Sequence, residues 1–408
     1  MSAHSFKLHL EDHDKQYMKT NVILENQTET KYISPLEIET LQKLKNKIFS
    51  SSNWDKHKKF SNDYELIHIP NKRNKTDSIA YYQPLSRSYF KMIELIHDYN
   101  LLDNYHSNFK SAHLAEGPGG FMEATFNLTS KKYENSKCQH YGITLYSENK
   151  DIPGWNKAYD FLFKNNNINI SYGEDNTGNL YRPSNILHFA KFVGYGSCEL
   201  ITADGGFDFS VDFNKQEQLS YKLILCEIIS CLYNQKIGGH FVCKFFDIYT
   251  PETVKLLYLL TTFYTNVYIS KPFTSRPANS EKYIICKNFK YENITDLYPK
   301  FIGILKFFNG FDFDKYCVHS ILDIPIQNYY INSINEMNAI LGHQQIDNIL
   351  NTIKIITHKD KKQEKLSNLK TQNIQKCINW CIKNNMPYIK SNISSNIFIG
   401  DRVNKKIR

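Results

Sequence analysis

The stretch HLAEGPGGFMEA, residues 113–124, decides the fold expected for this chain. Its three glycines and one proline follow KSAHLA, an apolar segment that predicts a strand, and lead into GGFMEATFNL, in which a helix is predicted. A glycine-rich turn between a strand and a helix is where open α/β sheets bind ligands. We therefore expect a ligand site at the carboxyl end of this strand, with a plain tight turn as the alternative.

The glutamate and glycines of this turn indicate what the ligand is. Gly117, Gly119 and Gly120 allow the backbone to lie against a ligand, and Pro118 stiffens the bend. The spacing matches neither the phosphate-binding G-x-x-x-x-G-K-[ST] pattern nor the dinucleotide-binding G-x-G-x-x-G pattern. Glu116 would repel a pyrophosphate but would accept a cationic ligand or a ribose hydroxyl. A sulfonium cofactor fits that charge.

Outward from the turn, strand and helix patterns alternate as far as about residue 290. The later strand candidates are QHYGITL, INISYG, CELITADGG, GHFVCKFF, NVYIS and EKYIICKNF. Such alternation predicts an α/β fold with a mostly parallel sheet covered on both faces. The last two strands are joined too briefly for a crossover helix, so one of them should run antiparallel.

The flanking regions differ from this α/β segment. Residues 1–80 are polar and lysine-rich with one helix candidate, SPLEIETLQKLKNKIF, and the pattern after residue 290 is helical and polar. We expect an N-terminal extension over residues 1–80, the α/β domain over 81–290 and a helical C-terminal region over 291–408.

Composition limits the function classes. The 408-residue chain has 50 lysines and arginines against 41 aspartates and glutamates, and this net charge of +9 modestly favours a polyanionic partner. The longest apolar run is broken by a glutamate and the N-terminus lacks an apolar signal core, so neither a membrane span nor secretion is expected. Nine scattered cysteines without a C-x-x-C pair indicate reduced thiols and no metal site. We expect a soluble intracellular protein.

Polar residues also follow two later strands of the predicted sheet. Asp204 follows an apolar strand in TADGGFDFS, and Lys244 ends the next strand in GGHFVCKFFDIYTP. The 40 residues between them (244 − 204) amount to about one helix and one strand, so adjacent strands would hold the two side chains side by side. Taken alone, each is better explained as a surface ion-pair partner, whereas together with the glycine turn they indicate a shared site. Lys91, in the first helix of the α/β segment (predicted from Pro84 to about Asn100), and Glu281, before KYIICK, would be ordinary surface charges if taken alone.

Five motifs, in order, carry a family resemblance: AEGPGGF, YGEDNTGNLYRP, ADGGF, GGHFVCKFFDIYTP and KPFTSRPANSEKYIICK. Over about residues 80–290 the chain resembles the FtsJ-like RNA ribose 2′-O-methyltransferases, which use S-adenosylmethionine. Within that family it is most similar to the mRNA cap methyltransferases of eukaryotes and large DNA viruses, which act on the first transcribed nucleotide. The resemblance implies a Rossmann-like methyltransferase sheet, S-adenosylmethionine as cofactor and capped mRNA as substrate.

The resemblance also implies site residues. The family's Lys-Asp-Lys-Glu tetrad corresponds to Lys91, Asp204, Lys244 and Glu281. Cofactor contacts are implied for Ser86, Glu116, Gly117, Pro118, Gly119, Gly120, Phe121, Asp175, Asn179 and Asp204, and RNA contacts for Asn214, Lys215, Gln216 and Asn279. Cap contacts are expected upstream of the first helix, where Arg73, with Lys72 or Lys75, is a candidate for the triphosphate. A solvated basic loop is the alternative there.

The chain departs from the family pattern at two cofactor positions. Many such sites end their second strand with an acidic residue that holds the adenosine ribose, whereas YGITLYSENK offers Thr144. Asn179 stands where an aspartate is expected, so the adenine could instead contact Asp175.

The tetrad suits methyl transfer from a sulfonium to a ribose 2′ oxygen, which needs positioning and a proton acceptor. A free lysine, with a pKa of about 10.4, is a poor base at neutral pH. Burial and Lys91 would lower the pKa of Lys244, and Asp204 would raise it. We interpret Lys244 as the base or the orienting group, Asp204 as its positioner, and Lys91 and Glu281 as supports.

Two other functions stay open. One is the same reaction on ribosomal or transfer RNA, although SRPANSE and the terminal additions favour a capped substrate. The other is a catalytically silent RNA-binding subunit of a capping complex. Expected partners are capped mRNA and capping-complex or polymerase proteins, in the nucleus or cytoplasm, or in a virus factory or virion if the source is viral.

Overall fold

The computed structural model describes residues 4–8, 20–26, 32–51, 54–69, 78–103, 108–133, 138–149, 152–207, 212–309, 316–322, 325–357 and 363–389. The chain divides into two compact units, one formed by residues 1–50 and 84–350 and the other by residues 51–83 and 351–408. Within the described ranges, no helix is long and apolar enough to cross a membrane.

An eight-stranded mixed sheet organises the first unit. Side by side, its strands are β1 (His4–Leu8), β8 (Tyr264–Lys271), β9 (Lys282–Phe289), β7 (Gln235–Phe245), β6 (Cys198–Ala203), β3 (Lys110–Leu114), β4 (Gln139–Ile143) and β5 (Ile168–Ser171). Neighbouring strands from β7 to β5 are parallel, and β9 runs antiparallel to both β7 and β8. The expected mostly parallel sheet, with one antiparallel strand among the last two, is confirmed.

Three strands were not indicated by the sequence. β1 pairs antiparallel with β8 and adds an edge to the sheet. β2 (Thr20–Asn26) pairs antiparallel with β10 (Tyr316–Leu322) in a separate two-stranded sheet. These strands are short, and what fixes them is a partner distant in the chain, which local alternation does not reveal.

Helices cover the sheet and complete the first unit. They are α1 (Pro35–Ser50), α3 (Ser88–Tyr99), α4 (Gly120–Lys132), α5 (Tyr159–Lys164), α6 (Pro183–Val193), α7 (Gln216–Asn234), α8 (Pro251–Phe263), α9 (Tyr298–Asn309) and most of α10 (Asn328–Thr357). α8 shows why such segments begin where they do: Thr250 accepts a hydrogen bond from the N–H of Thr253, and Pro251 fills the first position. All six side chains of β6 are buried, as a parallel strand covered on both faces requires.

The N-terminal helix α1 is attached to the end of β7 by a buried ion pair. Lys45 Nζ lies 2.6 Å from Asp247 Oδ2, and both side chains are buried. Asn46 Oδ1 also accepts a hydrogen bond from Asn214 Nδ2 at 2.7 Å. Residues of the expected N-terminal extension therefore pack beside the segment that carries Lys244.

The second unit is small and helical. It contains α2 (Trp54–Ser61), α11 (Gln363–Lys383) and the last turns of α10. Lys376 Nζ lies 2.7 Å from Asp63 Oδ2, and the backbone of Ala80 forms an isolated β-bridge with Tyr388. Contacts between residues 51–83 and residues 351–408 therefore hold the second unit together.

Candidate active site

The glycine-rich turn joins β3 to α4 as predicted, but the protein itself requires the glycines. Gly119 has a φ of +101°, in the left-handed region that favours glycine. A Cβ on Gly117 would collide with the carbonyl oxygen of Pro153, and a Cβ on Gly120 would collide with the Ser86 hydroxyl. Protein neighbours and the backbone angle therefore account for these glycines, and the contact of this turn with a ligand stays a prediction.

Glu116, at the entrance to this turn, is a buried acid with one unsatisfied oxygen. The Thr202 hydroxyl donates to Oε1, whereas Oε2 has no hydrogen-bond partner among the described residues. His113 Nδ1 lies 3.3 Å from Oε2, but burial lowers the pKa of His113 to about 3, so that histidine is neutral. Burial raises the pKa of Glu116 well above its usual value despite the bond from Thr202, and Asp204 adds to the rise. A cation beside Oε2 would favour the carboxylate.

The four tetrad positions come together at the carboxyl edge of the sheet. Lys91 Nζ lies 2.6 Å from Glu281 Oε1. Lys244 Nζ lies 3.2 Å from Asp204 Oδ1 and donates to the Asp204 carbonyl at 2.7 Å. The Tyr283 hydroxyl joins the two pairs, because it donates to Asp204 Oδ1 at 3.0 Å and accepts from Lys91 Nζ at 3.3 Å. Each charged side chain is only 11–13% exposed.

Their electrostatics favour charged forms. Burial lowers the pKa of Lys244, but Asp204, Glu281 and Glu227 outweigh it, so the pKa is raised above its usual value. Burial raises the pKa of Glu281, but Lys91 and Lys244 lower it well below its usual range. At neutral pH Lys244 therefore carries a proton and Glu281 is ionised. Of the opposing effects expected at Lys244, that of the carboxylates prevails.

The turn that carries Glu281, residues 272–281, is fixed by residues that the sequence did not single out. The buried Glu94 carboxylate, one turn after Lys91 in α3, accepts from the backbone N–H groups of Phe273 at 2.7 Å and Thr274 at 3.2 Å. Lys271 Nζ donates to the Glu281 carbonyl at 2.7 Å. A glutamate within an apolar helical face was the available signal, because such a residue is rarely buried without a specific partner.

Thr144, the expected substitute for a ribose-binding acid, lies between the glycine turn and the loop after β5. Its hydroxyl accepts a hydrogen bond from the N–H of Gly117 at 3.3 Å. A Cβ on Gly178 would collide with its carbonyl oxygen. The structure therefore brings together the two segments to which cofactor contacts were assigned.

Within the loop after β5, Asp175 and Asn179 are tied to neighbours in sequence. The Thr177 hydroxyl donates to Asp175 Oδ1 at 2.6 Å, and Arg182 Nε lies 3.0 Å from Oδ2. The bond from Thr177 is the largest cause that lowers the pKa of Asp175 to about 2. Asn179 Oδ1 accepts from the N–H of Tyr181 at 2.9 Å. Both side chains shape this loop, and their cofactor roles stay predictions.

Ser86 and Phe121 lie on either side of the glycine turn. Ser86 lies just before α3, and its hydroxyl is 2.5 Å from the hydroxyl of Ser88, the first residue of that helix. Phe121 is fully buried, and its ring centroid lies 5.5 Å from that of Tyr283. Phe121 therefore links the turn to the catalytic cluster by packing.

The positions assigned to RNA lie on two segments. Asn214, Lys215 and Gln216 lie at the start of α7, where Lys215 is exposed. Asn279 is exposed on the turn that ends at Glu281. Arg73, Lys72 and Lys75 lie outside the described residues, so the cap-contact prediction has no structural counterpart here.

Comparison with known proteins gives this site a family. The FtsJ-like methyltransferase family model matches residues 84–289, half of the chain. The cap-specific mRNA (nucleoside-2′-O-)-methyltransferase 1 of Mus musculus is 40% identical over 187 residues, 44% of this chain and 21% of that protein. The corresponding protein 1A of Caenorhabditis briggsae is 35% identical over 210 residues, 50% of this chain and 22% of that protein.

The chain spans about a fifth of the length of these curated relatives. Among solved structures, one described as a ribosomal RNA methyltransferase from Plasmodium falciparum matches at 20% identity and a TM-score of 0.35. That match covers 50% of this chain and 97% of the other; so low a score adds nothing to the assignment. The family match spans the whole α/β segment and includes every residue of the charged cluster. The chain belongs to the FtsJ-like methyltransferase family.

Proposed function

We propose that this chain transfers a methyl group from S-adenosylmethionine to the ribose 2′-hydroxyl of the first transcribed nucleotide of capped mRNA, converting cap-0 to cap-1. The observation that carries the proposal is the connected cluster of Lys91, Tyr283, Asp204 and Lys244, with Glu281 paired to Lys91. Two largely buried lysines beside ionised carboxylates suit a reaction that must hold one hydroxyl and manage its proton. The capped substrate is proposed because the relatives are cap-specific mRNA (nucleoside-2′-O-)-methyltransferases.

The residues of the glycine turn fit the proposed cofactor. Among the described residues, Glu116 Oε2 is buried without a hydrogen-bond partner, and it is the atom that a cationic group would satisfy. Ser86, Thr144 and the loop of Asp175 and Asn179 lie around the same turn and would hold the rest of the cofactor. When bound, S-adenosylmethionine supplies an electrophilic methyl group, and transfer to the 2′ oxygen releases the hydroxyl proton.

Lys244 is the residue that contacts the ribose 2′-hydroxyl in this proposal. Because it is protonated in this arrangement, it orients the 2′ oxygen by donating a hydrogen bond. To act as the base it must first lose its own proton, so a role as orienting group is favoured over a role as resting-state base. Asp204 fixes the ammonium through its carboxylate and carbonyl. Lys91 and Glu281 hold Tyr283 and the 272–281 turn in place.

The RNA path proposed for this reaction runs from Asn214, Lys215 and Gln216 to Asn279. Both segments border the charged cluster in sequence and are solvent-accessible at Lys215 and Asn279. Capping-complex or polymerase proteins as partners, and the nucleus or cytoplasm as the compartment, belong to the same proposal. The division of the chain into an N-terminal extension (1–80), an α/β domain (81–290) and a C-terminal region (291–408) is also part of this proposal.

The decisive experiment is transfer of radiolabelled methyl groups to cap-0 RNA and to the same RNA without a cap. Nuclease digestion then identifies the labelled nucleotide. We expect label on the 2′ oxygen of the first nucleotide, and only with the capped substrate. Equal labelling of uncapped RNA, or labelling of ribosomal or transfer RNA, would replace the cap assignment by the broader family reaction. RNA binding without labelling would support the catalytically silent subunit.

A further inference from the structure

Glu227 is a fully buried glutamate that the proposed mechanism does not use. It lies in α7 with no exposed surface. Its Oε1 has no hydrogen-bond partner among the described residues, and its Oε2 has only a weak donor, Cys243 Sγ, at 3.7 Å. Burying an unsatisfied polar group costs about 1–3 kcal/mol, whereas an apolar residue of the same size would cost nothing. Packing alone therefore gives no reason for a glutamate here.

Its carboxyl group lies directly beneath the catalytic loop. A Cβ on Gly205 would collide with Glu227 Oε1 and would lie 3.1 Å from the Cβ of Ala115. Glu227 thus contacts the backbone that follows Asp204, beside the residue that precedes Glu116. It occupies the point where the catalytic loop and the glycine turn meet.

The charges around Glu227 couple it to the catalytic lysine. The titratable groups that face it are Cys226 on its own helix, Glu116, Tyr181, Asp204, Cys243 and Lys244. Burial raises the pKa of Glu227 to about 8, with Lys244 opposing the shift and Asp204 adding to it. Reciprocally, Glu227 is one of the acids that raise the pKa of Lys244.

We propose that Glu227 is a positioning residue that acts through Lys244: its carboxyl group contacts Gly205, directly after Asp204, and Cys243, directly before Lys244. Glu227 touches neither substrate nor cofactor in this role. As pH rises it loses its proton, and its new negative charge makes Lys244 harder to deprotonate. The proposal rests on the proposed function, because Glu227 influences the charge of Lys244, and Lys244 is the residue that orients the ribose hydroxyl.

The test is Glu227→Gln, which keeps the shape of the protonated acid and removes its ionisation. Competitive acetylation of Lys244, followed by mass spectrometry from neutral to alkaline pH, reads the ionisation of Lys244 without any substrate. We expect the midpoint of Lys244 reactivity to fall by about one pH unit or less, the lower end of the effect of a nearby charge. The alkaline inflection of the methyl-transfer rate should move in the same direction. An unchanged midpoint in the folded variant would overturn the proposal.

Two comparisons keep the result interpretable. Glu199→Gln changes a buried glutamate of β6, paired with Lys236 at 2.6 Å, and should leave the Lys244 midpoint where it is. Glu227→Met provides a second variant without an ionisable group and should reproduce the downward shift. A shift in Glu199→Gln as large as in Glu227→Gln would reduce Glu227 to a general structural role. Absence of methyl transfer in the parent protein, with the acetylation shift intact, would refute the proposed function and not this coupling.

Discussion

Replacing Lys244 by methionine tests the centre of the site most directly. The change keeps the apolar length of the side chain and removes the ammonium that donates to Asp204 and lies among three acids. Among the described residues, the Tyr283 hydroxyl then remains as the hydrogen-bond partner of Asp204 Oδ1. The cofactor turn is not altered directly, so affinity for S-adenosylhomocysteine should stay close to that of the parent.

The expected losses follow from this geometry. A group that handles the proton of the reacting hydroxyl contributes roughly 10²- to 10⁴-fold in rate, or about 3–5 kcal/mol of barrier. Removing one partner of a buried ion pair costs about 3–5 kcal/mol of stability, and these side chains are only 11–13% exposed. Because folding raises the pKa of Lys244, its stabilising contribution is complete below the unfolded value of about 10.4 and is lost only as pH rises through the folded value. The full loss should therefore be seen at neutral pH.

Single-turnover methyl transfer and urea unfolding at neutral pH provide the two measurements. Lys236→Met is the matched control, because Lys236 lies at the other end of the same strand and pairs with Glu199 while 49% exposed. Lys236 is half exposed, so its loss should cost less stability than the loss of Lys244 although Glu199 is buried, and the control should keep the parent rate. Lys244→Arg should also fail, because the planar guanidinium fork is larger than an ammonium and presents its N–H donors in a different geometry. A folded Lys244→Met enzyme within tenfold of the parent rate would refute the role assigned to Lys244.

Four further changes test the surrounding residues. At pH values above about 5, Glu116→Gln should raise the urea midpoint of the cofactor-free protein, because the raised pKa of Glu116 makes the parent protein less stable as pH rises above the unfolded value of that pKa. Calorimetry should show roughly tenfold weaker binding of S-adenosylmethionine, which carries the sulfonium charge that Glu116 fits. Tyr283→Phe removes the hydroxyl that joins the two ion pairs and should slow methyl transfer about 3- to 10-fold without weakening cofactor binding; an unchanged rate would mean that the pairs act independently. Glu94→Gln should lower the free energy of unfolding by about 2 kcal/mol in urea titration, and no loss would show that the 272–281 turn is held elsewhere. Lys215→Glu should weaken RNA binding and reduce the slope of log affinity against log salt by at least about 0.7, whereas a parallel salt titration would place the RNA elsewhere.

The fold was predictable because its signals are local and repeated. Alternating strands and helices predicted the mostly parallel sheet, and the short link after β8 predicted the antiparallel strand. Asp204 and Lys244 were placed together because neighbouring parallel strands end at one edge. Lys91 and Glu281 needed the family resemblance, since nothing local separates them from surface charges.

The remaining features depend on contacts between distant parts of the chain. Tyr283 alternates with apolar neighbours and resembles a packing residue, although its hydroxyl joins Lys91 to Asp204. Glu94 and Glu227 show only that a charge lies on an apolar face. The direction in which the pKa of Lys244 is shifted could not be predicted from the sequence either, because it depends on how many acids surround the ammonium and how deeply all of these groups are buried.

The first strand has a practical consequence for anyone who shortens this protein. β1 covers the outer edge of β8 over five residue pairs, and Leu8 is buried there. The opposite edge, β5, is only four residues long, which limits its capacity to recruit another chain. Deleting residues 1–8 would expose a row of unpaired N–H and C=O groups along YTNVYISK, a segment rich in aromatic and β-branched residues. Such a truncated protein should self-associate edge to edge in solution while its catalytic cluster stays intact.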